Sequence, residues 1–172
     1  MPSASLCIAT YCTTPSGSTI TLPLRAAPVS VLRKVVAFGS FDILHPGHLD
    51  YLNRAKRLGD FLIVVVARDS SIRAIKGRDP FFGEKERLLM VKSLRIVDRA
   101  LLGNPMRKPE DRYRIIKELM PKAIVFGYDQ RADVADVKKW LAKNKIKADV
   151  IKLRHGLNTN KYKSSKIRKA IA

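Results

Sequence analysis

Two histidines three residues apart, His45 and His48, frame Pro46 and Gly47 in the stretch Gly39-Ser40-Phe41-Asp42-Ile43-Leu44-His45-Pro46-Gly47-His48. The apolar run Val35 to Phe38 precedes it. Leu49 to Leu58 follows, with Leu49, Leu52 and Ala55 recurring at helical spacing. The chain thus passes from strand through loop to helix, and the histidines fall where the helix starts. Pro46 suits a first helical turn, because the N–H it lacks would be unpaired there anyway. Gly47 leaves space for a ligand near the backbone. Free amides and the positive end of the helix dipole favour bound phosphate. Imidazole N–H groups can donate to the same phosphates, where negative charge grows as pyrophosphate departs. Two histidines could instead ligate a metal, but no third ligand stands at suitable spacing.

Three further segments carry charge or hydroxyl groups that suit phosphate chemistry. Lys76-Gly77-Arg78 reads as a mobile loop whose lysine can close over a triphosphate, with Arg78 as a candidate helper; an exposed basic loop would read the same. Gly127-Tyr128-Asp129-Gln130 places Asp129 either against a nucleotide's sugar or base, or as a helix cap. In Lys161-Tyr162-Lys163-Ser164-Ser165-Lys166-Ile167-Arg168, the serine hydroxyls and helix amides can hold phosphate oxygens while Lys166 compensates the leaving pyrophosphate. A basic capped tail looks similar in isolation. Glu86-Arg87 reads first as an ordinary helical ion pair, which leaves Arg87 a supporting role at best.

The elements that must position these groups alternate along the chain. Phe61 to Ala67 is a continuous, mostly β-branched run, as expected of a strand buried on both faces. Glu84 to Leu94 reads as helix, Val97 to Leu102 as strand, Arg112 to Leu119 as helix and Ala123 to Phe126 as a buried strand. Val134, Val137, Trp140 and Leu141 stripe a helix, Val150 to Leu153 supply a last strand, and Ser164 can cap a short final helix. Strands alternating with helices predict an α/β domain: a Rossmann-like parallel sheet of about five strands with helices on both faces. Ligands in such folds gather at the carboxyl ends of the strands.

The stretch from Gly39 to His48 closely resembles the GTFD-x-LH-x-GH signature of the cytidylyltransferase-like nucleotidyltransferases, with Ser40 where threonine is usual. The resemblance extends over about residues 34 to 170 and several motifs in order. The segments Ala67-Arg68-Asp69, Lys76-Gly77-Arg78 and Gly127-Tyr128-Asp129-Gln130 together resemble archaeal-type FAD synthases. What the resemblance implies is transfer of AMP from ATP to FMN, releasing pyrophosphate, with His45, His48, Lys76 and Lys166 catalytic. It assigns nucleotide binding to Gly39, Ser40, Phe41, Pro46, Gly47, Gly127, Asp129, Ser164 and Ser165 as well as both histidines. Asp42, Arg78 and Tyr162 become candidate contacts to the acceptor or a metal. A divalent ion bridging the triphosphate, magnesium first, is expected on charge grounds. The alternative in the same chemistry is a cytidylyltransferase using CTP with glycerol 3-phosphate or a phosphorylated amino alcohol.

Bulk properties bound the remaining readings. The 172 residues suit one core, and no apolar run approaches a membrane helix. Thirty-four Lys plus Arg against 15 Asp plus Glu give +19, which attracts polyanions without choosing among them. A different class, an RNA-binding protein on a relict nucleotidyltransferase fold, draws on this charge. Aromatics at 7% give it few stacking platforms, so nucleic acid is not the expected partner. A homodimer is compatible with the sequence. Cys7 and Cys12 are the only cysteines, so a reducing, cytoplasmic setting is the simpler expectation. Residues 1 to 33 contain no Asp or Glu and show no sustained period, and are expected to be a disordered or non-native extension ahead of a domain at 34 to 172.

Overall fold

The β-branched runs become the middle of a sheet. The computed structural model describes residues 32–105, 111, 113–130, 132–159 and 161–171. Strands β1 (Lys34–Gly39), β2 (Phe61–Val66), β3 (Arg99–Leu102), β4 (Ala123–Phe126) and β5 (Asp149–Lys152) pair in the order β3-β2-β1-β4-β5, all parallel. Alternate side chains of each strand go to opposite faces. Val35, Ala37, Leu62, Val64 and Val66 meet Tyr51, Leu52 and Ala55 of α1 (Pro46–Lys56) and Val91 of α3 (Glu84–Lys92). Val36, Ile63, Val65, Ile124 and Phe126 meet α4 (Ile115–Leu119) and α5 (Val134–Lys143) through Ile116, Leu119, Val137 and Leu141. The expected two-faced Rossmann-like architecture is what forms. Among the described residues, no helix is long and apolar enough to cross a membrane.

Several boundaries differ from the sequence reading, each for a local reason. Pro46 does stand at the first position of α1, but Leu49 is partly exposed and Tyr51 takes its place in the buried stripe. Strand β3 begins at Arg99, because residues 94 to 97 form a turn closed by Val97 N–H to the Leu94 carbonyl. Lys76 lies in no mobile loop: it ends α2 (Asp69–Lys76). That helix is too short to show a period, and its start is fixed from outside. Asp69 N–H donates to the Glu84 carboxylate while Glu84 N–H donates to that of Asp69, so α2 and α3 cap one another. Gly77, at φ 66°, terminates α2 in the left-handed conformation that glycine adopts without strain. The last helix is α6 (Ser164–Ile171).

The expected extension, residues 1 to 33, lies outside the described residues except for Leu32 and Arg33. Arg33 belongs to the sheet's lower edge. Its N–H donates to Asp60, its carbonyl accepts from Asp60 and Phe61, and its guanidinium pairs with Asp149 at 3.2 Å. A Cβ on Gly59 would stand 2.4 Å from the Arg33 carbonyl oxygen, a backbone atom that cannot step aside cheaply. Gly59→Ala is therefore expected to destabilise the domain by about 1–3 kcal/mol, the usual cost of overpacking, read as a lower urea midpoint at unchanged slope.

Candidate active site

The site grows from the point where the sheet reverses its strand order. β2 and β3 lie on one side of β1, β4 and β5 on the other, and a crevice opens beyond the carboxyl ends of β1 and β4. Pairing of β1 with β4 stops at Ala37 and Val125. Past it, side chains take over from the backbone ladder. The Tyr51 hydroxyl sits 3.1 Å from the Phe38 carbonyl oxygen and 2.8 Å from that of Val125, and the Gln130 amide donates to Phe38 as well. Burial pushes the Tyr51 phenol well above its ordinary pKa, so it remains a donor.

Next along the chain, Phe41 adopts φ 48°, a strained value for a side-chain-bearing residue, and its ring is fully buried. Gly39 permits this, since a Cβ there would fall 2.6 Å from the Phe41 ring. The same ring lies 5.2 Å from that of His48. His45 is the extended residue just before α1, and His48 N–H donates to its carbonyl. One helical turn thus stacks the two imidazoles, centroids 3.9 Å apart and planes 19° from parallel. Gly47 leaves the space: a Cβ would meet the His45 ring at 3.0 Å and Tyr162 at 3.3 Å.

Both Nδ1 atoms are buried without a well-formed hydrogen bond. Burial lowers the His48 pKa to about 3, with His45 and Lys76 adding repulsion and the Ile43 backbone opposing. Burial also lowers His45, against the attraction of Asp129. At neutral pH, His48 is therefore a neutral imidazole. Lys76, at the end of α2, donates to the Ser40 hydroxyl at 3.0 Å. Its ammonium is destabilised first by burial of the amine end, then by Arg78, with Asp42 and Asp129 opposing. An anion placed among these groups would relieve every one of these penalties.

A cleft of about 630 Å³ covers this point, and Gly39, Ser40, Phe41, Gly47, Lys76 and both histidines line it. From the far side come Gly127, Asp129, Tyr162, Ser164 and Ser165; Arg78 also lines it. Asp129 does not cap a helix, because Asp133 caps α5 by accepting from Ala135 N–H at 2.7 Å. Ser164 does not cap α6 either. It is that helix's first residue, and its hydroxyl donates to the Ile43 carbonyl at 3.4 Å.

Three sequence-predicted residues stand elsewhere. Pro46 shapes the start of α1 without lining the cleft. Lys166 is exposed and outside the lining, and Lys163 occupies the wall instead. Asp42 is only 2% exposed and outside the lining. It accepts from the amides of Phe81 and Phe82 and pairs with Arg168 at 3.5 Å and Arg78 at 3.7 Å, so it anchors loops.

Arg87 is larger in effect than a helical ion pair. It is fully buried, and its guanidinium donates to the carbonyls of Phe82 and Ser40 and to the carboxylate of Asp69, while Glu86 accepts from Gly83 N–H. Sequence reasoning also passed over Tyr51, Gln130 and Arg168. Gln130 and Arg168 end the motifs that start at Gly127 and Lys161; Tyr51, a polar aromatic within a helical stripe, gives no separate signal.

Imidazoles at a helix start, a lysine opposite them and hydroxyls at a second helix start thus meet at the carboxyl edge of a parallel sheet, an arrangement that fits an α/β nucleotidyltransferase. Comparison with known proteins gives the class. Residues 36–170 match the family model described as cytidylyltransferase-like, and the chain belongs to that family. It is 44% identical over 121 residues to the FAD synthase of Aciduliprofundum boonei, covering 70% of this chain and 78% of that one. With the FAD synthase of Thermoplasma acidophilum it shares 42% over 138 residues, covering 80% and 93%. Among solved structures, the lipopolysaccharide core biosynthesis protein of Thermoplasma volcanium superposes with a TM-score of 0.68 at 38% identity, over 74% of this chain and 99% of that one.

The depressed His48 pKa fixes the sign of a pH effect. Between the unfolded value of 6.5 and about 3, the unfolded chain binds the proton that the folded chain refuses. Stability is therefore expected to be full above pH 6.5 and to fall as pH drops towards 3. His48→Asn, measured by urea unfolding across that range, should flatten the slope by up to one proton.

Proposed function

We propose that the chain is an FAD synthase, transferring AMP from ATP to FMN. An FMN phosphate oxygen attacks the α-phosphorus of ATP as the bond to the β-phosphate breaks, and pyrophosphate leaves with that electron pair. No covalent enzyme intermediate is required, so rate comes from alignment and charge neutralisation. The observation that carries the reading is the stacked pair of imidazoles in the cleft wall, poised as donors at the start of α1. In this reading, His45 and His48 donate to the α- and β-phosphate oxygens as charge develops. Lys76 neutralises the reacting phosphates from the Ser40 side, and Lys163, Ser164 and Ser165 hold the departing pyrophosphate in the role first given to Lys166. Asp129 takes the ribose or base end.

A divalent ion, magnesium first, fits as a passenger on the triphosphate. Among the described residues, no cluster of three or more His, Cys, Asp or Glu forms a dedicated cage, and Asp42 is committed to amides and arginines. Asp50, which pairs with Arg54, and Asp129 are the carboxylates that line the cleft, and the ion's chemistry would be to offset phosphate charge on the triphosphate itself. The choice of FMN and ATP is supported by the two FAD synthase relatives, which match most of their length.

Purified enzyme given ATP and FMN should release FAD and pyrophosphate in equal amounts, resolved by chromatography. CTP consumed with glycerol 3-phosphate, and no FAD formed, would overturn the assignment. Replacing His45 or His48 by Ala should lower kcat by roughly a hundredfold or more, as loss of a transition-state donor does, with circular dichroism unchanged. Lys76→Ala should slow turnover comparably; an effect confined to thermal stability would make it structural.

A further inference from the structure

The carboxylate of Asp42 divides its oxygens between two jobs. Oδ1 accepts from the amides of Phe81 and Phe82 at 2.6 and 3.2 Å, which fastens the segment between α2 and α3 to the exit of β1. Oδ2 faces two guanidinium groups, Arg168 of α6 at 3.5 Å and Arg78 at 3.7 Å. The side chain is only 3% exposed, so water cannot replace either partner. One negative charge stands between two positive ones, and one guanidinium is left in excess.

The two arginines are held differently. Arg168 has a second anchor, the Asp79 carbonyl at 3.0 Å, and lies over the Phe81 ring at 6.0 Å. Arg78 is held more loosely: its Nη1 is buried and makes no hydrogen bond, with Asp42 Oδ2 at ion-pair distance only. Arg78 also lines the cleft, two residues after Lys76, whereas Arg168 and Asp42 do not. The excess charge is the one on the cleft wall. Asp42 offsets it at Lys76 as well, because Arg78 disfavours the Lys76 ammonium and Asp42 favours it.

We propose that Asp42 is a positioning residue, which holds Arg78 half-paired at the cleft wall while Arg168 limits how tightly the carboxylate grips it. The inference rests on the cleft taking a nucleoside triphosphate. Phosphate oxygens entering the cleft supply the partner that Asp42 offers only in part, so Arg78 donates to them and Arg168 keeps the carboxylate. Asp42 itself touches no substrate. A carboxylate given wholly to Arg78 would hold that guanidinium back, and none at all would leave it unplaced.

Asp42→Asn tests this, because it retains an oxygen for the two amides and removes the charge that the arginines share. It is compared with Arg78→Gln and with the double variant by steady-state pyrophosphate release, with circular dichroism and the urea midpoint as checks of the fold. Asp42→Asn should lower kcat/KM for the nucleotide tenfold or more. The double variant should match Arg78→Gln within twofold, because Asp42 acts through Arg78. Losses that multiply, or wild-type kcat/KM in Asp42→Asn, would overturn the proposal. If Asp42→Asn does not fold, Arg168→Gln takes its place: it should cost several-fold in kcat/KM with Arg78 present and under twofold in Arg78→Gln, and equal costs in both would overturn the proposal. A wild-type chain that releases pyrophosphate from CTP and glycerol 3-phosphate, and not from ATP and FMN, would overturn the FAD synthase reading alone, and the same cycle run with CTP then decides on Asp42. Release from neither pair would overturn both.

Discussion

A buried guanidinium holds the site together. Arg87 has no access to solvent, so each of its donors must find a partner inside the protein. The partners come from three places: the Ser40 carbonyl at the exit of β1, the Asp69 carboxylate at the start of α2, and the Phe82 carbonyl ahead of α3. One side chain therefore fixes the loop between β1 and α1, the helix that carries Lys76 and the segment between α2 and α3. Removing one member of a buried ion pair typically costs on the order of 3–5 kcal/mol, because the other is left uncompensated. Asp42 repeats the device nearby, joining the β1 exit to the amides of Phe81 and Phe82 and to Arg168 on α6.

With those loops held, electrostatic strain can be built into the cradle without loss of the fold. His48 is kept neutral by burial and by the charges of His45 and Lys76, and Lys76 is itself disfavoured as an ammonium. A site whose imidazoles and lysine are held away from their charged forms improves when a polyanion enters. The chain's charge of +19 acts at longer range, raising the local concentration of anions. It does not select among them. Selection falls to short-range groups, which in the proposed function are the donors that line the cleft.

The sequence made the parallel sheet legible because buried β-branched runs such as Phe61 to Val66 have few other uses, and because helical stripes separate them. It also placed the two histidines at the start of α1, since Pro46 and Gly47 between them after a strand have a direct physical reading. What it hid was contact between residues distant in the chain. The short helix α2 depends on reciprocal bonds between Asp69 and Glu84, which no local period records. Arg87 resembled half of a surface pair with Glu86 until burial gave it different partners. Asp42 sits within the most informative motif, yet motif membership does not say whether a carboxylate faces the cleft or the loops behind it. Lys166 and Lys163 differ by less than one helical turn, and only the direction of α6 decides which lines the wall.

Everything turns on the two imidazoles meeting phosphate. The most direct measurement is nitrogen-15 NMR of histidine-labelled protein, titrated with an ATP analogue whose α,β-bridging oxygen is replaced by methylene. Saturable shifts of both the His45 and His48 ring nitrogens, with their pKa values rising as the anion binds, are expected. Tight binding of the analogue that leaves both rings unmoved would contradict the assignment of this turn as the phosphate cradle.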